Sequence, residues 1–252
     1  MHLDVTGLNN FYSDTVLGQF TKRRLHESIK KLWGNSLSGR IVGYGFAPPI
    51  LSPFIAYSAN ILCLMPGHQG VMAWPTDQHN CSVLVEETSW PLATGTIDRL
   101  VILHGLETSE NLQDLFQEIW RVLAPSAKVI FIVPNRSGWW ARTEATPFGQ
   151  GRPFSIRQLK NQLESNRFKV ERHLTALHAP PIERLHLLRA ADFLENFGGQ
   201  FYSPLGAGIL LLEATKQIYA LNSQALSTMV SRPINVLEEL TDPRPVSKGL
   251  NG

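Results

Sequence analysis

The sequence predicts an α/β fold: a doubly wound, mostly parallel sheet of seven strands with helices on both faces. Three observations lead there. Apolar runs of strand length recur along the chain, and those at 100–103 and 129–133 are too continuously hydrophobic for strands with one wet face. Between them Leu112, Leu115, Phe116, Ile119, Trp120 and Leu123 repeat at helical spacing as a single apolar stripe. Strand and helix signals then alternate from residue 40 to residue 219, the order that right-handed crossovers generate.

Taken in order, residues 11–33 read as an amphipathic helix, with Leu25, Ile29, Leu32 and Trp33 on one stripe and Lys22, Arg23, Arg24, Lys30 and Lys31 on the other. A turn at 35–39 leads into a short strand at 40–44, and a glycine- and proline-bearing loop enters a helix near 50–58. Residues 61–65 form the second strand and 82–85 the third, joined by a long polar and aromatic connection. The fourth strand is 100–103 and the fifth 129–133; Ser109 is the better start signal for the helix between them. Residues 135–153 form a loop rich in Gly, Pro, Arg and Trp, long enough to suggest function or a lid. Ser155 suits the N-cap of a helix carrying Ile156, Leu159 and Leu163. A strand at 168–177, a helix at 182–197 and a last strand at 209–219 follow.

At 252 residues the chain suits one α/β domain with additions. The expected division is an N-terminal helical extension at 1–37, the α/β domain at 38–222 and a flexible tail at 223–252. A formal charge of +2 is too small to imply a polyanion partner by itself. Between Arg136 and Arg172 basic residues gather with few acids, which fits either a solvated surface or a patch facing an anion. The two cysteines, Cys63 and Cys81, make neither a disulfide framework nor a zinc site, and fit a reducing compartment. The opening residues lack a signal-peptide pattern and no apolar run reaches membrane-spanning length, so a cytoplasmic protein without a membrane partner is expected. His68, His79 and Cys81 match no metal-ligand spacing, and no metal is expected. Hydrolase, kinase and thiol-redox motifs are absent.

Ligands of open α/β sheets bind beyond the carboxyl ends of the strands, which selects the candidate residues. Gly43, Tyr44, Gly45 and Phe46 form a glycine turn after the first strand and before a helix, where backbone can approach a ligand. Met65 ends the second strand; Glu86, Glu87 and Trp90 follow the third; Leu103, His104 and Glu107 close the fourth. Each has an ordinary structural reading too: a plain glycine turn, an exposed acidic turn, a packed histidine, a helix cap. Trp139, Trp140, Phe148 and Phe154 with Arg136, Arg142 and Arg152 suit a pocket for an anionic, aromatic small molecule. Interleaved aromatic residues and arginines also suit single-stranded nucleic acid, which they leave open as a partner without naming it.

The order Asp98, strand, His104-Gly105-Leu106-Glu107, helix, Arg121-Val122-Leu123-Ala124-Pro125 resembles the second half of class I S-adenosylmethionine-dependent methyltransferases of the type 11 kind. The resemblance covers residues 38–135 and implies a Rossmann-like seven-stranded sheet, S-adenosylmethionine as cofactor and methyl transfer to a small molecule. It implies cofactor contacts from Gly43, Tyr44, Gly45, Phe46, Met65, Glu86, Glu87, Trp90, Leu103 and His104, with His104 and Glu107 as catalytic candidates. The family pattern acid-x-Gly-x-Gly-x-Gly is degenerate here. Gly43 stands where the acid that holds the ammonium group belongs, while Ala47 and Pro49 replace two glycines. The carboxylate for the ribose hydroxyls has no counterpart in 61–67, whereas Glu86 matches the position that meets the adenine amine. The same departures suit a catalytically inactive relative acting as a binding or regulatory protein.

Overall fold

A computed structural model describes residues 3–34, 38–57, 60–182 and 206–218. Seven strands form one sheet in the order β3-β2-β1-β4-β5-β7-β6: β1 (Ile41–Gly45), β2 (Ile61–Pro66), β3 (Ser82–Val85), β4 (Ile97–Leu103), β5 (Leu123–Pro134), β6 (Phe168–Ala176) and β7 (Ile209–Lys216). β1 to β5 run parallel, and β7 inserts antiparallel between β5 and β6. This is the doubly wound, mostly parallel sheet that the apolar runs predict. The reversal of order beside β1 opens a crevice position between the carboxyl ends of β1 and β4. Leu100, Val101, Ile102 and Leu103 are fully buried, because helices cover both faces of this central strand.

The first helical segment differs from expectation. Instead of one helix over 11–33 there are two, α1 (Val5–Asp14) and α2 (Val16–Trp33). Thr15 makes the break: its hydroxyl donates to the Phe11 carbonyl at 2.8 Å and accepts from the Gly18 amide at 2.9 Å, ending one helix and capping the next. Both helices belong to the same compact unit as the sheet. α3 (Pro48–Leu51) is a single turn after β1, shorter than the predicted helix, and a 3₁₀ segment continues it. α4 (Leu112–Val122) begins at Asn111, whose side chain caps Asp114, and not at Ser109. β5 starts six residues earlier than its apolar run, directly where α4 ends. α5 (Ile156–Ser165) carries the Ser155 cap, completed by Gln158 as a capping box. Beyond Ile182 the predicted helix at 182–197 lies outside the described residues, as does the tail at 223–252.

One buried carboxylate fastens the loop after β3 to the sheet's cover. Glu118 on α4 accepts the Trp90 amide at 2.6 Å and pairs with Arg121. Burial pushes its pKa up, but the Arg121 hydrogen bonds and the Trp90 amide outweigh burial and hold it below the usual carboxylate range. A lowered folded pKa stabilises the protein above the unfolded value and is lost as pH falls through the folded one. Wild-type melting temperature is therefore expected to drop on acidification below about pH 4.5, and the drop to shrink in Glu118→Gln, as read by thermal melts across that range.

Candidate functional site

The crevice position is built from the ends of β1 and β4. Gly45 takes a left-handed φ of +82°, and a Cβ there would lie 2.2 Å from the Leu103 carbonyl, so only glycine fits. The Phe46 amide then donates to that carbonyl at 2.8 Å, turning the chain into α3. Pro48 and Pro49 at the start of α3 each lack an N–H, so the anion-binding end of this helix is depleted of donors.

On β4 the chain passes through His104, also left-handed at φ 55°, a conformation non-glycine residues hold only when the surroundings enforce it. The surroundings here are a closed polar network. The imidazole is fully buried, with Nδ1 3.0 Å from Glu107 Oε1 and Nε2 2.8 Å from the Tyr12 hydroxyl. A carboxylate only accepts, so Nδ1–H donates to Glu107 and Nε2 accepts from Tyr12. Burial first, and the Glu107 charge second, raise the Tyr12 pKa well above its ordinary value, keeping the phenol protonated as a donor. The His104 carbonyl accepts from the Gln69 side-chain amide and from Thr108 Oγ1 at 3.1 Å. The Phe148 ring lies 4.7 Å from the imidazole, and Phe46 stacks beneath Tyr12 at 6.0 Å. Val5 ties α1 to the same cluster, its amide donating to the Gln69 carbonyl at 2.7 Å. Glu107 Oε2 is the exception, buried without a partner among the described residues. Tyr12→Phe leaves His104 Nε2 unpaired at a fully buried position. We expect a loss of about 1–3 kcal/mol, measured by urea unfolding.

The other sequence candidates are distributed differently. Met65 and Leu103 are buried at their strand ends. Trp90 lies in the core, stacked on Tyr44 with 4.7 Å between ring centres. Glu87 accepts from the Ser109 hydroxyl and the Glu110 amide at 3.2 Å, bracing the approach to α4. Glu86 is exposed in a turn closed by the Ser89 amide on its carbonyl. His104, Glu107, Gly45, Phe46 and Leu103 are thus brought together, while Trp90 and Tyr44 face the opposite core layer and Glu86 stands apart. Sequence reasoning missed Tyr12 and Gln69. Tyr12 lies 92 positions from its partner, and no local signal joins them. A polar groove of about 620 Å³ runs along the outer face of α4, lined by Thr88, Asp114, Gln117, Arg121 and Asn166. It does not reach this network.

No protein-family model matches the chain, and no curated protein matches it in sequence. Solved structures do. An S-adenosylmethionine-dependent methyltransferase from Archaeoglobus fulgidus superposes with a TM-score of 0.57 at 13% identity, over 84% of this chain and 100% of that one. One from Thermotoga maritima, described as a possible histamine N-methyltransferase, gives 0.55 at 14%, over 80% and 92%. Geranyl diphosphate C-methyltransferase from Streptomyces coelicolor, solved with Mg²⁺, geranyl diphosphate and S-adenosyl-L-homocysteine, gives 0.52 at 15%, over 76% of each chain.

The crevice departs in two places from the arrangement that this fold implies for its cofactor. Gly43 cannot carry the missing acid, since a Cβ there would sit 2.3 Å from Ala47 Cβ and 2.7 Å from Leu51 Cδ1. No carboxylate ends β2, and the His104 imidazole and carbonyl already bond Tyr12 and Gln69. What the sheet order and the superpositions establish is the architecture: the chain has the fold of class I S-adenosylmethionine-dependent methyltransferases.

Proposed function

We propose that this protein is a methyltransferase-fold binding or regulatory protein rather than a transferase. The observation that carries the reading is the occupation of the crevice by the chain's own side chains: Tyr12 on His104 Nε2 and the Gln69 amide on the His104 carbonyl. A methyl donor must reach the ends of β1 and β4, where the His104 imidazole and carbonyl already have internal partners, so binding there breaks buried hydrogen bonds as well as forming new ones. The test is a calorimetric titration with S-adenosylmethionine and S-adenosylhomocysteine. No heat and no thermal shift at millimolar ligand is the expected result. Low-micromolar affinity, about −8 kcal/mol, overturns the reading.

One observation favours a second reading, a transferase acting on a small molecule. Glu86 is exposed at the position that the resemblance gives to the adenine amine, and Glu107 orients the ring of His104. That reading requires Glu86→Ala to weaken cofactor binding by about 1–3 kcal/mol.

A further inference from the structure

The loop from Asn135 to Pro153 treats its two adjacent tryptophans in opposite ways. Trp140 is buried, donates through Nε1 to the Ala179 carbonyl at 2.8 Å and meets Phe148 edge-on at 5.9 Å. The backbone is moulded around it. A Cβ on Gly208 would lie 2.2 Å from the Trp140 ring, and one on Gly138 would lie 2.2 Å from the Ala207 carbonyl. Asn135 adds a side-chain bond to Ala207 O at 2.7 Å. The loop is therefore fixed to the sheet, and Trp139, beside this anchor, is 60% exposed. Trp139 thus presents a flat indole face to solvent beside an anchored stretch of the loop.

Its neighbours are cationic. Trp139 opens a 3₁₀ turn that contains Arg142, and side chains three apart in such a turn eclipse, so the exposed Arg142 shares the side of the indole. Arg136, three residues before Trp139, sends its guanidinium to the Pro153 carbonyl at 3.3 Å, which brings it beside Arg152. Both are exposed, and each guanidinium keeps further donors for a ligand. Glu144 is the sole acid in 135–153.

We infer that this loop is a binding surface for a nucleobase carrying phosphate: the base stacks on Trp139 and the phosphates meet Arg136, Arg142 and Arg152. A flat π-face beside guanidinium groups matches that chemistry, because every base stacks and every phosphate accepts paired N–H donors. An acidic peptide would use the cations and leave the exposed indole without a role. The inference is independent of whether the crevice beside His104 binds a methyl donor.

The test uses the full-length protein with a fluorescein-labelled single-stranded oligouridylate read by anisotropy, and ATP read by calorimetry. Binding of the oligonucleotide alone identifies a strand, and binding of ATP identifies a nucleotide; either supports the surface. Strand affinity should fall with salt at a log–log slope of about −2, the value for three neutralised phosphates. Trp139→Ala should weaken binding about tenfold or more with an unchanged melting temperature, and Arg142→Ala should flatten the salt slope. The proposal is overturned by three results. These are no binding of either ligand at millimolar concentration in low salt, equal affinity of Trp139→Ala, or displacement of the strand by polyglutamate as effectively as by unlabelled strand.

Discussion

Gly43→Asp is expected to destabilise the protein by about 3–5 kcal/mol and to confer no affinity for S-adenosylmethionine. The substitution restores the acid that the methyltransferase pattern places on β1. In this chain the position is packed shut: Ala47 Cβ and Leu51 lie within 2.3 and 2.7 Å of where the new Cβ would stand. Leu51 can swing aside, but Ala47 Cβ is fixed to the backbone. The carboxylate would also enter an apolar layer that includes Cys63. Gly43→Ala carries the packing cost without the charge and should lose about 1–3 kcal/mol. Chemical unfolding of the two variants separates these contributions. A Gly43→Asp protein as stable as wild type would mean that α3 is free to move off β1.

The second large effect concerns the opposite edge of the sheet. Glu213 on β7 is buried and bridges Lys128 on β5 at 3.0 Å and Arg172 on β6 at 2.7 Å. Arg172 continues to the Leu32 carbonyl at the end of α2, so one carboxylate couples three strands and a helix terminus. Removing one partner of a buried pair strands the remaining charge. Here Arg172 and Lys128 are 47% and 39% exposed and can turn to water, which reduces the cost. Glu213→Ala should therefore lose about 2–4 kcal/mol in urea unfolding. Arg172→Ala should lose less, since Lys128 still pairs with the carboxylate.

The sheet was legible because strands covered on both faces must be apolar throughout, as Leu100 to Leu103 are. The early start of β5 was not, since Pro125, Ser126 and Lys128 interrupt the run that periodicity detects. The break between α1 and α2 escaped for a different reason: the apolar spacing continues across it, and the turn depends on one hydroxyl of Thr15. At the site, His104 and Glu107 could be found from the end of a strand and a spacing of three residues. Their partner Tyr12 could not, because a helix face reports only that an aromatic is buried and never what it meets. Gln69 lay within a polar connection with no period at all. The departures of the glycine turn from the family pattern were legible, whereas Tyr12 and Gln69, which bond His104, come from elsewhere in the chain.

Nitrogen-15 NMR of the His104 ring, recorded with and without millimolar S-adenosylhomocysteine, is the most direct measurement. Closure by Tyr12 predicts a protonated Nδ1, an unprotonated Nε2 held in a hydrogen bond, and resonances that the nucleoside leaves unchanged. Ligand-dependent movement of those signals, with loss of the Tyr12 hydrogen bond, would show that the crevice opens to a methyl donor.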